Sequence, residues 1–302
     1  MTRWLVTGAA GMLGRDVVAA LRAADEEPRT TALDRNGLDI TDAAAVRDAV
    51  AGHDVVVNTA AWTNVDGAEA DEAAAKAVNA TGVRQLAAAC AQHGARLLHV
   101  STDYVFPGGG TAPWAEDAEP APVNAYGRTK LAGERAVREL LPAHGYTIRT
   151  AWLYGAHGPN FVTTMLRLAA ERDELEVVDD QTGQPTWTGA LATRLVELGR
   201  SATAGSAPPG IYHGTAAGRA TWCELARCAF VRAGLDPARV RPVGSDRYPR
   251  TAPRPSWSVL GQEGWARAGM SPLAPWRTML EQAFAEGVFA AQVPVSRGRL
   301  DP

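Results

Sequence analysis

A tyrosine and a lysine stand four residues apart in the segment Tyr126-Gly127-Arg128-Thr129-Lys130. Two side chains at this spacing share one face of a helix, so the Lys130 ammonium can stabilise a Tyr126 phenolate. The pairing would lower the pKa of the phenol from its usual value of about 10 toward neutrality, as a proton donor to a reduced carbonyl requires. A solvated helix face explains the spacing equally well, so other parts of the chain must decide between the two interpretations.

The first 155 residues or so alternate short apolar runs with alanine-rich segments, which predicts strand–helix–strand units and a parallel sheet. The predicted strands are nearly continuous in apolar or β-branched residues, as strands buried on both faces should be. They lie at 4–6, 32–33, 55–57, 97–100 and 147–152, with helices at 68–92 and 130–141. We expect a Rossmann-type, doubly wound α/β domain over residues 1–155.

Strand signals weaken after about residue 155, and glycine and proline become more frequent. This change predicts a smaller C-terminal α/β lobe over 156–290 that binds mainly the substrate, and it leaves open whether the two parts interleave. Helices are predicted at 161–171, 190–201, 222–233 and 276–285, and strands of this lobe at 175–178 and 211–213. The segment 291–302 is expected to be a frayed tail.

A glycine-rich loop, Gly8-Ala9-Ala10-Gly11-Met12-Leu13-Gly14, follows the first predicted strand directly and opens a helix. Its glycines allow a tight turn, a close approach to a pyrophosphate and tight helix–strand packing, while the helix N-terminus offers N–H groups to the anion. The first two glycines are three residues apart, a spacing that resembles the loop of short-chain dehydrogenase/reductases. The loop therefore predicts a dinucleotide site.

Asp34 and Arg35 close the second predicted strand, twenty residues after Gly14. An acid at this position accepts hydrogen bonds from the ribose hydroxyls of NADH, whereas an arginine can hold the 2′-phosphate of NADPH. The two neighbours favour opposite cofactors, so we expect both NADH and NADPH to be used. Further candidates for contact with the cofactor, which turn chemistry would also explain, are Asp39, Ile40, Ala60 and Ala61.

The fourth predicted strand runs into Ser101-Thr102-Asp103-Tyr104, at the sheet edge where ligands bind in open α/β folds. Thr102 is placed to donate to a substrate carbonyl. With Tyr126 and Lys130 it completes a hydroxyl, phenol and ammonium set that resembles the catalytic residues of the short-chain dehydrogenase/reductases. The loop and this set together predict a nicotinamide-dependent reductase.

Longer motifs resemble those of the dTDP-4-dehydrorhamnose reductases over about residues 3–286; they lie at 63–69, 101–107, 124–134, 149–152, 179–186 and 254–256. The resemblance implies reduction of the 4-keto group of a dTDP-6-deoxy-L-hexose to give dTDP-L-rhamnose. It implies that Thr102, Tyr126 and Lys130 are catalytic and that Lys130 also binds the nicotinamide ribose. The residues implied to contact the sugar are Val65, Thr102, Asp103, Tyr104, Tyr126 and Trp152.

Related activities are only partly separated by the sequence. Sugar-nucleotide dehydratases carry an Asp-Glu pair after the threonine, whereas Tyr104 follows Asp103 here, so elimination is not expected. Epimerases share the loop and the Tyr-Lys pair and are not distinguished. Two further alternatives stay open: a sibling dTDP-ketosugar reductase of an antibiotic pathway, such as one making dTDP-L-dihydrostreptose, and a non-catalytic, reductase-like regulatory subunit.

Composition bounds the class of protein. The 302 residues are 46% hydrophobic and carry a formal net charge of -3, which argues against a nucleic-acid surface. No apolar run approaches the roughly 20 residues of a membrane span, so we expect a cytoplasmic protein without a membrane anchor. Its three cysteines are too few and too scattered for a disulfide framework or a zinc site.

A magnesium-bridged dimer is known in some reductases of the family that this chain resembles. Acidic side chains at the start of the first helix and after the Pro-Thr motif hold that ion. Asp16 could supply the first, but Gly189 stands where the second is expected. This departure argues against Mg²⁺-bridged dimerisation, so we assign no metal site and expect a monomer or a weak homodimer.

Overall fold

A computed structural model describes residues 1–24 and 29–293 of the chain. Within these residues six strands form one parallel sheet: β1 (Arg3–Thr7), β2 (Arg29–Leu33), β3 (Val55–Asn58), β4 (Arg96–Thr102), β5 (Gly145–Thr150) and β10 (Gly210–His213). Their order is β10-β5-β4-β3-β1-β2. The chain changes direction across the sheet between β1 and β3, and a ligand crevice is expected at the carboxyl ends of such strands.

Helices cover both faces of this sheet. On one face lie α1 (Met12–Ala23) and α8 (Thr188–Thr203), and on the other α2 (Ala43–Val50), α5 (Val83–His93) and α6 (Ala125–Leu140). Alternate residues of β1 serve the two layers, since Trp4 and Val6 belong to one apolar core and Leu5 to the other. The predicted Rossmann-type, doubly wound α/β fold is confirmed.

The predicted strand at 211–213 is correct as a strand but wrong as part of the smaller lobe. It is β10, which pairs with β5 in parallel register, Ile211 beside Thr147. Tyr212 and His213 are fully buried there. In addition, α8 packs against α1. The second half of the chain therefore supplies both a strand of the six-stranded sheet and a helix that covers it.

The predicted helix at 68–92 is interrupted. Its first part is α3 (Val65–Ala70), which ends at Asp71, and the Asp71 carboxylate then accepts from Ala74 N–H to cap α4 (Glu72–Lys76). A π-helical stretch, Ala77–Gly82, joins α4 to α5. The helix predicted at 130–141 begins earlier, because Asn124 caps it and Ala125 is its first residue.

The smaller lobe has short strand pairs and its own apolar core. The pairs are β6 (Leu153–Tyr154) with β9 (Thr186–Trp187), β7 (Leu175–Val178) with β12 (Val240–Val243), and β8 (Thr182–Gly183) with β11 (Ala220–Thr221). Its helices are α7 (Phe161–Glu171), α9 (Trp222–Arg232), α10 (Gly264–Arg267) and α11 (Trp276–Ala285). The core joins α7 and α9 to β7 and β12 through side chains such as Leu175, Phe230 and Val240.

Most of the predicted tail, 294–302, lies outside the described residues. Within the described part of the chain, none of the helices combines the length and the apolar character needed to cross a membrane.

Two buried histidines in the sheet predict a loss of stability in acid. Burial lowers the pKa of His213 to about 3, and it lowers the pKa of His99 well below its usual value. Both stay neutral in the folded protein, whereas the unfolded chain protonates them near pH 6.5. The stability that each contributes is therefore present above about pH 6.5 and is lost as the pH falls toward the folded-state pKa.

Between about pH 7 and about pH 5 we expect each histidine to cost about 2 kcal/mol of unfolding free energy. Urea unfolding of the wild type and of His213→Asn at both pH values measures this cost. The variant should lose about 2 kcal/mol less than the wild type over the same interval. Equal losses in the two proteins would contradict the assignment.

Candidate active site

A cleft of about 590 Å³ lies at the carboxyl edge of the sheet. Every residue predicted to bind the cofactor lines it: Gly8, Gly11, Met12, Leu13, Gly14, Asp34, Arg35, Asp39, Ile40, Ala60, Ala61, Tyr126 and Lys130. Ser101, Thr150 and Leu153 complete the wall near the last two. The structure thus brings together residues from four separate stretches of sequence, and their contact with a cofactor stays a prediction.

The glycine loop leaves room for a ligand because side chains are excluded from it. Gly8 has a φ of 70°, and a Cβ there would lie 2.6 Å from the backbone nitrogen of Ala60. A Cβ on Gly14 would collide with the Gly8 carbonyl. The Thr59 hydroxyl donates to the carbonyls of Thr7 and Gly8, which fixes the turn. Among the residues that the structure describes, no side chain caps the start of α1, so its first N–H groups are available to an anion.

The far end of the cleft carries charges of both signs. Asp34 Oδ1 accepts from the N–H groups of Asn36 and Gly37, both at 3.0 Å, which holds the carboxylate in the turn after β2. Arg35 lines the same cleft. Asp39 Oδ1 accepts from the backbone and the hydroxyl of Thr41, and these bonds lower the pKa of Asp39. Asp39 therefore has the turn chemistry considered above and also faces the cleft.

The first turns of α6 carry the phenol and the ammonium. Asn124 Oδ1 accepts from Gly127 N–H at 2.8 Å and starts the helix. Tyr126 and Lys130 follow one turn apart, and both are in the cleft wall. Lys130 is 1% exposed and its Nζ donates to the Val100 carbonyl at 2.7 Å. The shared helix face predicted from the spacing is confirmed.

The expected lowering of the Tyr126 pKa by Lys130 is wrong for the protein by itself. Burial and, to a smaller extent, the charge on Asp103 raise the pKa of Tyr126 to about 12, although a hydrogen bond with Thr102 opposes both. Burial also lowers the pKa of Lys130 to about 8 against the opposing effect of Glu134. The ammonium is directed to the backbone of β4, so the phenol stays protonated at neutral pH.

The Thr102 hydroxyl takes part in a short chain of hydrogen bonds. It donates to Asp103 Oδ1 at 2.9 Å and accepts from Tyr104 N–H at 3.2 Å. Asp103 is 3% exposed, and burial raises its pKa to about 6 although neighbouring donors oppose the shift. Thr102 also forms a hydrogen bond with Tyr126, but its own proton is directed to Asp103 rather than to the cleft.

The other residues predicted to contact the sugar lie beyond the lining of the cleft. The ring of Tyr104 meets that of Tyr126 edge-on, with centroids 5.9 Å apart. Val65 starts α3, next to Asp66. Trp152 follows β5, two residues after Thr150, which pairs with Thr102 in the sheet. Tyr104 is thus in ring contact with Tyr126, and contact of the predicted set with a sugar stays a prediction.

Sequence reasoning missed the hydrogen bonds that join the segment 252–254 to the elements around Tyr126. Asp66 accepts from Arg254 at 2.8 Å and from Ala252 N–H at 3.0 Å, and Asn124 donates to the Pro253 carbonyl at 3.0 Å. These bonds tie the segment 252–254 to α3 and to the start of α6. Residues about 190 positions apart leave no local pattern, and only the resemblance at 254–256 pointed to this segment.

No group of three or more side chains suited to a metal ion occurs in the part of the chain described here. Asp16 lies 3.6 Å from His157. At Gly189 an added Cβ would lie 2.6 Å from the Trp187 ring, so this position lacks both a carboxylate and the space for one. The residues present do not fit a bound Mg²⁺.

Known proteins are similar to this chain in sequence and in structure over almost its whole length. A family model described as the RmlD substrate binding domain matches residues 2–288. A dTDP-4-dehydrorhamnose reductase of Streptomyces griseus is 57% identical over 93% of each chain, and a dTDP-4-keto-6-deoxy-D-glucose reductase of Streptomyces niveus is 53% identical over 93% of this chain and 96% of its own. The structure of dTDP-4-dehydrorhamnose reductase from Bacillus anthracis in complex with NADP is 36% identical, with a TM-score of 0.89 over 95% of this chain and 100% of that chain.

Proposed function

Because the chain belongs to the RmlD substrate-binding domain family, we propose that it is an NAD(P)H-dependent oxidoreductase that reduces a keto group of a dTDP-sugar. The substrate we infer is dTDP-4-dehydro-L-rhamnose, whose 4-keto group becomes the alcohol of dTDP-L-rhamnose. The observation that carries this proposal is the position of Tyr126 and Lys130 in the wall of a cleft that begins at the loop 8–14.

The residues present fit a dinucleotide. Gly8 and Gly14 exclude the Cβ atoms that would fill the loop, and the uncapped start of α1 offers N–H groups to a pyrophosphate. Asp34 and Arg35 would hold the adenosine ribose, and Lys130 would hold the nicotinamide ribose. When bound, the cofactor supplies hydride to the carbonyl carbon.

The protein's own part in the reaction is to handle a proton at the carbonyl oxygen. A phenol with a pKa of about 12 is protonated at neutral pH, so Tyr126 can give its proton to the oxygen as negative charge develops there. The phenolate left behind lies one helical turn from the Lys130 ammonium. Lys130 is buried, and a charge in such surroundings acts on the phenolate more strongly than it would in water.

The hydrogen bond to Asp103 decides which other group the Thr102 hydroxyl can bond. While Thr102 donates to the Asp103 carboxylate, its oxygen is an acceptor for Tyr126; once Thr102 turns away, its hydroxyl can donate to the sugar oxygen. Thr102 therefore orients the phenol before the reaction and stabilises the oxygen during it.

A sibling ketosugar is the second candidate substrate. The Streptomyces niveus relative, named for a different dTDP-ketosugar, is nearly as similar to this chain as the Streptomyces griseus one. The regulatory alternative is disfavoured because Thr102, Tyr126 and Lys130 are all present.

All three cysteines are free thiols, which supports a reducing compartment. We infer a cytoplasmic enzyme that acts as a monomer or a weak homodimer.

The test is consumption of NADPH by the purified protein. The absorbance of NADPH should fall when dTDP-4-dehydro-L-rhamnose is added, and it should stay constant when dTDP-L-rhamnose is added instead. Faster consumption with dTDP-4-keto-6-deoxy-D-glucose would favour the sibling substrate. No consumption with either ketosugar would favour the regulatory alternative.

Cofactor preference gives a separate prediction. Asp34→Ala should raise the ratio of kcat/KM for NADPH over NADH by roughly tenfold, because it removes a carboxylate that repels the 2′-phosphate. A neighbouring cavity lined by Arg15, Arg22 and Asp34 supports the same reading, since its two arginines can attract that phosphate. Arg35→Ala should change the ratio in the opposite direction. Steady-state kinetics with both cofactors measures the ratios, and an unchanged ratio in both variants would contradict the assigned roles.

A further inference from the structure

Trp152 has an unusual backbone. Its φ of 46° is the only positive value among the described residues other than glycine. A left-handed conformation is unfavourable for an L-residue, so the surrounding structure must enforce it. Such strain concentrates at functional sites. Trp152 lies between Thr150 and Leu153, both of which line the cleft.

Two neighbours enclose the Trp152 indole. The ring of Trp222 stacks on it with centroids 3.5 Å apart and an interplanar angle of 5°. Gly183 lies against the six-membered ring, and any Cβ at that position would collide with Cε2 and Cζ2. The indole can occupy this position only because residue 183 is glycine.

Trp222 is itself held from several directions. It is the first residue of α9, whose cap Thr221 donates to Asp179 Oδ1 at 2.5 Å. Its Nε1 donates to Gln181 Oε1 at 3.3 Å, and Phe161 packs on it with centroids 4.6 Å apart. The aromatic position is thus fixed before any ligand arrives.

The motif at 179–186 obtains a physical role from these contacts. Asp179 anchors the cap of α9, Gln181 holds the Trp222 ring, and Gly183 makes room for the Trp152 indole. Three residues of one short segment therefore support the stacked pair of Trp222 and Trp152. Neither the cofactor loop nor the proton-handling residues account for them.

We propose that Trp222 and Gly183 are positioning residues that hold Trp152 at the border of the sugar subsite and thereby set the affinity for the sugar nucleotide. The inference rests on the proposed function. An indole fixed by stacking presents a rigid apolar wall at little cost in conformational entropy when the ligand binds. It suits the apolar C–H face of a 6-deoxy sugar.

The test measures binding of dTDP-L-rhamnose by calorimetry in the presence of NADP⁺. Trp222→Ala and Gly183→Ala should each raise its Kd by about tenfold, the first by removing the stack and the second by displacing the indole. Trp222→Phe should restore most of the affinity. The Kd of NADPH should stay within about twofold of the wild type in all three variants.

Val231→Ala is the matched control, since Val231 lies on the same helix and is 56% exposed. It should leave both Kd values unchanged. A wild-type Kd for dTDP-L-rhamnose in Trp222→Ala and Gly183→Ala would overturn the inference, and so would equal losses of affinity for both ligands. Turnover of the wild type with the ketosugar tests the proposed function separately, because binding of the product does not require a competent reaction.

Discussion

Replacing Tyr126 by phenylalanine is expected to lower kcat by roughly 10²–10⁴-fold and to leave the KM values for ketosugar and NADPH within about threefold of the wild type. The change removes only the hydroxyl that hands a proton to the carbonyl oxygen. The aromatic ring stays in place at the start of α6 and keeps its edge-on contact with Tyr104. Steady-state kinetics separates the two effects.

Tyr146→Phe is the matched control for the loss of a buried hydroxyl. Tyr146 lies on β5, is 2% exposed, and donates to the Ala207 carbonyl at 2.9 Å. Its removal should cost about 1 kcal/mol of stability and change kcat by less than about twofold. An unchanged kcat in Tyr126→Phe, or an equal loss in Tyr146→Phe, would remove Tyr126 from the proposed role.

Glu134→Ala is expected to lower the free energy of unfolding by about 3–5 kcal/mol. Glu134 and Arg149 are only 5% and 1% exposed, and the guanidinium donates to Oε1 at 3.0 Å and to Oε2 at 2.8 Å. Ser101 also donates to Glu134 Oε1 at 2.5 Å. Removing the carboxylate leaves the Arg149 charge buried without its counterion, which is the costly way to break such a pair.

The control variant is Glu139→Ala, on the same helix, α6. Glu139 pairs with Arg84 at 2.6 Å, but both side chains are at least half exposed, so Glu139→Ala should cost less than about 1 kcal/mol. Urea unfolding at neutral pH compares the two variants. A cost below about 1 kcal/mol for Glu134→Ala would contradict the account.

The buried pair also bears on function. Glu134 lies one turn beyond Lys130, and its bonds to Ser101 and Arg149 join α6 to β4 and β5. The phenol and the ammonium are therefore carried by a helix that is fixed to the strands behind it. Since proton transfer depends on position within fractions of an ångström, this attachment is part of the site even though it touches no ligand.

The sheet could be predicted because its inner strands are buried on both faces and their sequences show it. All four residues of β3, Val55–Asn58, are buried, and three of them are valine. The edge strand β10 was predicted as a strand at 211–213 but not as part of this sheet, since it has four residues and begins with an exposed glycine after two prolines. Its place beside β5 depends on tertiary pairing that a local pattern does not contain.

The residues of the site could be predicted from the sequence, but the pKa shifts and the packing contacts of these residues could not. Spacing placed Tyr126 and Lys130 on one helix face, but the direction of the pKa shift at Tyr126 depends on how deeply the phenol is buried. The bond from Lys130 to the Val100 carbonyl and the strained backbone of Trp152 likewise arise from packing between distant segments. Neither has a counterpart in the local sequence.

Transfer of deuterium from NADPH tests the central claim most directly. The purified protein is incubated with dTDP-4-dehydro-L-rhamnose and NADPH that carries deuterium at both C4 positions of the nicotinamide, and the product is analysed by NMR. We predict dTDP-L-rhamnose with deuterium on sugar C4 and no label elsewhere. Unchanged ketosugar, or a product with deuterium at any other carbon, would contradict the proposed reaction.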